Sequence, residues 1–267
     1  MHPDMSLEHE HAMSGDRPSV VVFCGPSLDQ SRARTLLPAG ARVVGPAACG
    51  DVLRATWEKP QAIVLIDGYF EHTRAVWHKE LLWALSRGIR VYGGSSMGAL
   101  RAVELTPFGM IGVGKVFEQF ASGTLEDDDE VAVVHESAEL GYRPSSEAMV
   151  NIRHVLSCAR THAVIDETIE STLSALAKST FYAERSWPRL FHDAAAAGCS
   201  AAAARALERW LTEQQPLPLK TVDALSLLEQ VAGDLHMGAP PRLTAMFRFE
   251  YTNAWDAFVQ EMHNRVI

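Results

Sequence analysis

Val91-Tyr92-Gly93-Gly94-Ser95-Ser96-Met97-Gly98-Ala99-Leu100-Arg101 reads as a buried strand that passes through a tight, glycine-flanked turn straight into a helix. Residues 94–98 spell G-x-S-x-G, the spelling of a nucleophile elbow. In such an elbow small neighbours let a serine oxygen stand clear, while amides at the helix N-terminus face developing negative charge. The motif is short, so its weight comes from the strand expected before it and the helix expected after it.

Upstream of that turn the chain alternates between apolar runs and helical patterns. Ser19-Val20-Val21-Val22-Phe23-Cys24 is apolar enough for a strand covered on both faces, and it ends at Gly25-Pro26-Ser27. A helix over 29–37, a strand at Arg42-Val43-Val44, a helix over 51–58 and a strong strand at Ala62-Ile63-Val64-Leu65-Ile66 follow. The turn Asp67-Gly68-Tyr69-Phe70 and a helix over 75–87 then lead into the strand before Ser96. This β-α-β-α order predicts an α/β fold: an open, mostly parallel sheet with helices on both faces. Downstream, Pro107–Gly114 reads as a turn-rich link to a helix ending near Ser122, and a short strand is expected at Val131–His135. Beyond Pro144 apolar residues recur at helical spacing over 145–160, 164–184, 200–214 and 221–232, with a break near Gly198 and punctuation at Gln215–Pro218 and Gly238–Pro241. The expected organisation is a tail over 1–17, an α/β core over 18–143 and a mainly helical C-terminal lobe over 144–267.

Composition narrows the function. At 267 residues and 47% hydrophobic content the chain buries a substantial core. Its net charge of -9 argues against nucleic acid or an anionic membrane as partner. No apolar run reaches the ~20 residues of a membrane helix, and the first 17 residues lack a signal-peptide core. Cys24, Cys49, Cys158 and Cys199 form no C-x-x-C pair, which fits a reducing, cytoplasmic setting. His2, His9 and His11 in the tail offer metal ligands only at an ordering cost, and no metal is expected.

In open α/β sheets ligands bind beyond the carboxyl ends of the strands. Three segments fall there: Gly25-Pro26-Ser27, Asp67-Gly68-Tyr69-Phe70 and Ser95-Ser96-Met97-Gly98. Two other features carry alternative readings. The acidic run Glu126–Glu130 is either a solvated loop, the reading preferred, or a Mg2+ site. Cys24 is either a small core residue, again preferred, or a persulfide carrier.

Val22–Leu28, Ile66–Phe70, Val76–Glu80, Ser96–Glu104 and Pro107–Met110, taken in order, resemble the TfuA-like family. The resemblance runs from about residue 19 to 155 and takes in Asp127–Val133 and Ser146–Arg153. It implies partnership with a YcaO-type ATP-dependent enzyme that converts a backbone amide of a ribosomally made peptide or protein into a thioamide. The TfuA-like member is then expected to hydrolyse the C-terminal thiocarboxylate of a ThiS-like sulfur carrier and release sulfide. No cofactor is expected on this chain, because ATP use belongs to the YcaO partner.

For that chemistry Ser96 is the expected nucleophile and the Met97 amide the expected oxyanion donor, with Gly25 or Ser27 supplying a second amide. Arg101 or Lys79 would neutralise the thiocarboxylate, although Arg101 is equally placed to pair with Glu104 three residues on. His78, oriented by Asp67, is the preferred base, and His135 is the alternative. Ser96 also has a non-catalytic reading, as part of a turn that grips an anion at a helix N-terminus. The chain would then be an adaptor that delivers the intact carrier to YcaO. The elbow alone predicts a third class, an ordinary esterase.

Overall fold

A computed structural model describes residues 18–71, 73–237 and 247–265. The expected tail with its three histidines and the Gly238–Pro241 turn lie outside the described residues. Five strands form one parallel sheet in the order β2-β1-β3-β4-β5: β1 (Val20–Phe23), β2 (Arg42–Val44), β3 (Ala62–Leu65), β4 (Arg90–Gly94) and β5 (Ile111–Val113). Between them run α1 (Gln30–Thr35), α2 (Asp51–Trp57), α3 (His78–Ser86) and α4 (Met97–Leu105), with α5 (Lys115–Ala121) after β5. Strand order reverses between β1 and β3, and the carboxyl ends of those strands are where a sheet of this kind opens a crevice.

The expected α/β class holds, with two corrections. β5 lies in the stretch read as a link, because three glycines dilute its apolar pattern. Gly112 is required there, since a Cβ would come within 2.2 Å of the Phe117 ring. The expected strand at Val131–His135 is absent. Its groups bond elsewhere, the Val134 amide to Ser146 Oγ and the Val131 carbonyl to Lys220 Nζ, and only an isolated bridge joins His135 to Pro144.

Alternate residues of each strand face opposite layers. Val21, Phe23, Ile63, Leu65 and Val91 pack against α2, α3 and α4. Val20, Val22, Val64 and Tyr92 pack against α1 and, from far along the chain, against α10 (Leu219–His236), which contributes Ala224, Leu227, Leu228 and Val231. The intervening helices α6 (Met149–Thr161), α7 (Glu167–Ser179), α8 (Trp187–Ala196) and α9 (Ala201–Gln214) bury a separate core of their own. α11 (Asn253–Asn264) lays Trp255, Phe258 and Met262 on Leu53 of α2. The helical half therefore returns to the sheet: α10 and α11, expected in the C-terminal lobe, complete the α/β layer.

The acidic run is not a solvated loop throughout. Glu130 is 3% exposed and is bound by Arg153 and Lys178, while Asp129 accepts from Lys178 and Arg185. Burial works against ionisation of Asp129, but the hydrogen bonds from Lys178 and Arg185 prevail and hold its carboxyl below the usual range. These oxygens serve the protein's own cations.

Candidate functional site

The strand-to-helix turn at Ser96 is built by exclusion of side chains. A Cβ on Gly98 would lie 1.7 Å from the Leu65 carbonyl oxygen, so only glycine lets α4 start against the end of β3, where the Gly98 amide donates to the Ile66 carbonyl at 3.1 Å. The backbone reverses at Ser95, whose φ is +68°, and the Ser96 amide closes a three-residue turn onto the Gly94 carbonyl at 2.7 Å. Left-handed φ is costly for a residue with a Cβ and such turns are strained. Ser95 Oγ offsets part of that strain by donating to the Lys220 carbonyl at 2.7 Å.

Ser96 itself is the N-cap of α4 but makes no capping bond, and its Oγ has no hydrogen-bond partner among the described residues. The residue is 7% exposed, close to fully buried. The Met97 amide, first in the helix, is likewise without a hydrogen-bond partner among the described residues. A free hydroxyl beside a free helix-start amide can approach a carbonyl carbon and its oxygen together.

The expected partners of Ser96 are arranged differently. Asp67, 2% exposed, does not orient His78; its Oδ2 accepts from the Gly25 amide at 2.9 Å and the Ser27 amide at 3.0 Å, and its Oδ1 from Ser27 Oγ at 2.6 Å. The Gly25 and Ser27 amides are thereby used and are not free oxyanion donors. The three rim loops do meet: Asp67 binds the β1 loop, and Gly68 packs against Met97 closely enough that a Cβ would come within 2.8 Å of its side chain. His78, however, pairs with Glu104 at 2.7 Å. Glu104 lies just over two helical turns beyond Ser96, about 12 Å along the axis at 1.5 Å per residue, so His78 is out of contact with the serine. Arg101 takes the structural option, bonding Glu104 at 2.8 Å and the Val76 carbonyl at 3.3 Å. Lys79 is held by Thr252 Oγ1 at 3.0 Å over the Phe249 ring.

The alternative base, His135, is at the rim. It packs between Tyr69 and Tyr142, with ring centroids 5.6 and 5.8 Å away, and Tyr142 covers Gly25 and Gly45 at the ends of β1 and β2. Its Nδ1 lies 2.8 Å from the Glu136 carbonyl, which can only accept. That bond places the proton on Nδ1 and leaves Nε2 as an acceptor in the neutral ring. Cys24 is fully buried. Burial, followed by the Asp67 charge, pushes its thiol far up and keeps it protonated, as befits a core residue.

Residues 67–186 match the model of a family described as TfuA-like protein. Over that segment the chain is similar to the TfuA-like family. No curated protein matches the chain to a significant degree. The TfuA-like segment contains Asp67, Tyr69, Ser96, Met97 and His135, and extends beyond residue 155 through α6 and α7. The β1 loop with Gly25 and Ser27 precedes the match and α10 follows it. The TfuA-like rim is thus completed from both sides by the rest of the chain.

α10 supplies the residue that pattern reading missed. Lys220, at its first turn and 2% exposed, is fixed at three points: its amide donates to Asn151 Oδ1 at 3.0 Å, its carbonyl accepts from Ser95, and its Nζ donates to the Val131 carbonyl at 2.9 Å. Asn151 is itself held by Glu147 at 2.8 Å, and Thr221 Oγ1 reaches the Ser27 carbonyl at 2.9 Å. Burial pushes the Lys220 ammonium below the ordinary lysine range, against the pull of Asp67 and Glu147. In sequence, one lysine in an amphipathic helix looks like any other; only the absence of a polar face around it would have marked it.

Proposed function

We propose that this TfuA-like protein hydrolyses the C-terminal thiocarboxylate of a ThiS-like sulfur carrier and gives the sulfide to a YcaO-type enzyme for thioamidation of a peptide or protein. The observation that carries the reading is the unpartnered Ser96 hydroxyl beside the unpartnered Met97 amide at the carboxyl rim of the sheet. The carrier's C-terminal tail would reach Ser96 at this rim. Its carbonyl carbon would meet Oγ while its oxygen turns to the Met97 amide, and loss of an oxyanion donor of this kind typically costs ~3 kcal/mol in the barrier. The acyl ester is then cleared by water.

The adaptor reading has its own support. Ser96 is only 7% exposed, and the Gly25 and Ser27 amides expected to complete an oxyanion hole are committed to Asp67. In that case the rim grips the thiocarboxylate without breaking it. Incubating the protein with a thiocarboxylated carrier and following sulfide separates the two. Hydrolysis predicts sulfide from the wild type and a fall of about 100-fold or more for S96A, in line with removal of a nucleophile; carrier binding without sulfide from either protein selects the adaptor.

A further inference from the structure

We infer that residues 134–145 form a flap that lies shut across the rim in this structure and lifts to let a carrier tail reach Ser96. The inference rests on Ser96 as the point of attack or of grip, so it deepens the hydrolase and adaptor readings equally.

The flap is a small ribbon in its own right. Its arms run antiparallel, with the Ser145 amide on the Val134 carbonyl at 2.8 Å, the bridge between His135 and Pro144, and the Glu136 amide on the Arg143 carbonyl at 2.8 Å. Arg143 also binds the Glu136 carboxylate at 3.0 Å, and at the tip the Leu140 and Tyr142 amides both donate to the Ser137 carbonyl at 3.1 Å. At the base, Ser146 Oγ accepts from the Val134 amide at 2.8 Å. Among the described residues, every backbone hydrogen bond of this ribbon runs within it or to Ser146, so it can swing without giving one up.

Its course crosses the mouth of the crevice. Just before the flap, Val131 and Val133 pack with Ala99 and Leu100 of α4, the helix that Ser96 caps. His135 then meets the Tyr69 ring beyond β3, and Tyr142 reaches over Gly25 and Gly45 beyond β1 and β2. Ser96, at the α4 end of that line, is 7% exposed, and a carbonyl flanked by its own chain needs more room than that.

The far end of the flap is seated as a latch. A Cβ at Gly45 would lie 2.2 Å from the Tyr142 hydroxyl oxygen, and the next nearest atoms are also those of the Tyr142 ring. Gly45 has no positive φ to require a glycine, so its missing side chain makes room for that ring. Tyr142 itself is held at a φ of +57°, an unfavourable setting for a residue with a Cβ that persists where the surroundings impose it. On the outer side, Leu140 at the tip is 51% exposed, and no described residue closes over it.

The test reads access with neither carrier nor turnover. In the full chain, S96C is treated with iodoacetamide and alkylation at position 96 is followed by peptide mass spectrometry, which separates it from the four native cysteines. G45A wedges the Tyr142 ring out of its seat and Y142A removes the ring. With an open form populated at about 10% or less in the latched protein, each is expected to speed alkylation at position 96 about tenfold. Because Gly45 faces Tyr142, G45A added to Y142A is expected to change nothing further. Unchanged alkylation in G45A and Y142A, both folded by circular dichroism, overturns the flap and leaves the reading of Ser96 standing. A G45A effect that persists in the Y142A background also overturns it. Faster alkylation in the opened variants beside undiminished sulfide release by S96A supports the flap and removes the serine hydrolase. If neither variant folds, fluorine NMR of the wild-type chain labelled with 3-fluorotyrosine decides. Exchange broadening of the Tyr142 signal supports the flap, and a signal as sharp as that of Tyr92, buried in the sheet, overturns it.

Discussion

Ser95 bears the conformational strain of the turn, and the Ser96 hydroxyl is left without a partner among the described residues. The two positions are chemically alike but answer differently to substitution. S95G relieves the positive φ while losing the bond to the Lys220 carbonyl; S95A loses the same bond and keeps the strain. The expected order of stability by urea denaturation is therefore wild type and S95G close together, with S95A lower by ~1–2 kcal/mol. An S95A as stable as S95G would show that the positive φ costs the turn nothing.

At the scale of elements, three buried carboxylates hold segments together by accepting backbone amides from elsewhere in the chain. Asp67 gathers the β1 loop, Asp223 of α10 accepts from Lys115 and Val116 at the start of α5, and Glu80 of α3 accepts from Gly50 at 2.9 Å and Leu53 at 3.1 Å at the start of α2. Burial raises the Glu80 carboxyl above its usual range in spite of those amides. Between the unfolded value, about 4.3, and its raised folded value, the native state binds more proton than the unfolded chain. Glu80 thus lowers stability as pH rises through that window. E80Q removes this slope, yet costs ~2 kcal/mol because an amide NH2 must replace one of the accepting oxygens. Urea midpoints across the window check both effects.

Glu80 and Asp67 also explain how far the sequence could be read. Strands β1 to β4 are continuous apolar runs cut by Gly, Pro or Asp, and α4 follows directly from the elbow, so these elements were legible. β5 was not, because Gly112 answers to Phe117 and not to strand propensity. Ser96 was legible as a turn residue. The partners of Asp67, His78 and Lys220 were not, since a hydrogen bond across tens of residues leaves no local spacing to detect.

On the scale of the whole molecule, the helical half is an excursion between β5 and α10, and the chain returns from it to close the sheet. Leu227 of α10 is fully buried against the same face as Val20, Val22 and Val64. L227A is expected to cost ~3 kcal/mol and, as a test of shared stability, to accelerate hydrogen exchange in β1 and β3 as well as in α10. Protection of those strands unchanged from wild type would mean that α10 merely rests on the sheet. Among the described residues no helix is long and apolar enough to cross a membrane.

The late position of α10 has a consequence for biosynthesis. All five strands leave the ribosome before the helix that covers one side of them, and the whole α6 to α9 excursion is translated in between. During that interval the apolar side of the nascent sheet is covered only by α1, and the lysine whose carbonyl holds the Ser95 hydroxyl is still to be added. The rim around Ser96 is therefore among the last parts of the polypeptide to be finished, however early its serine is made.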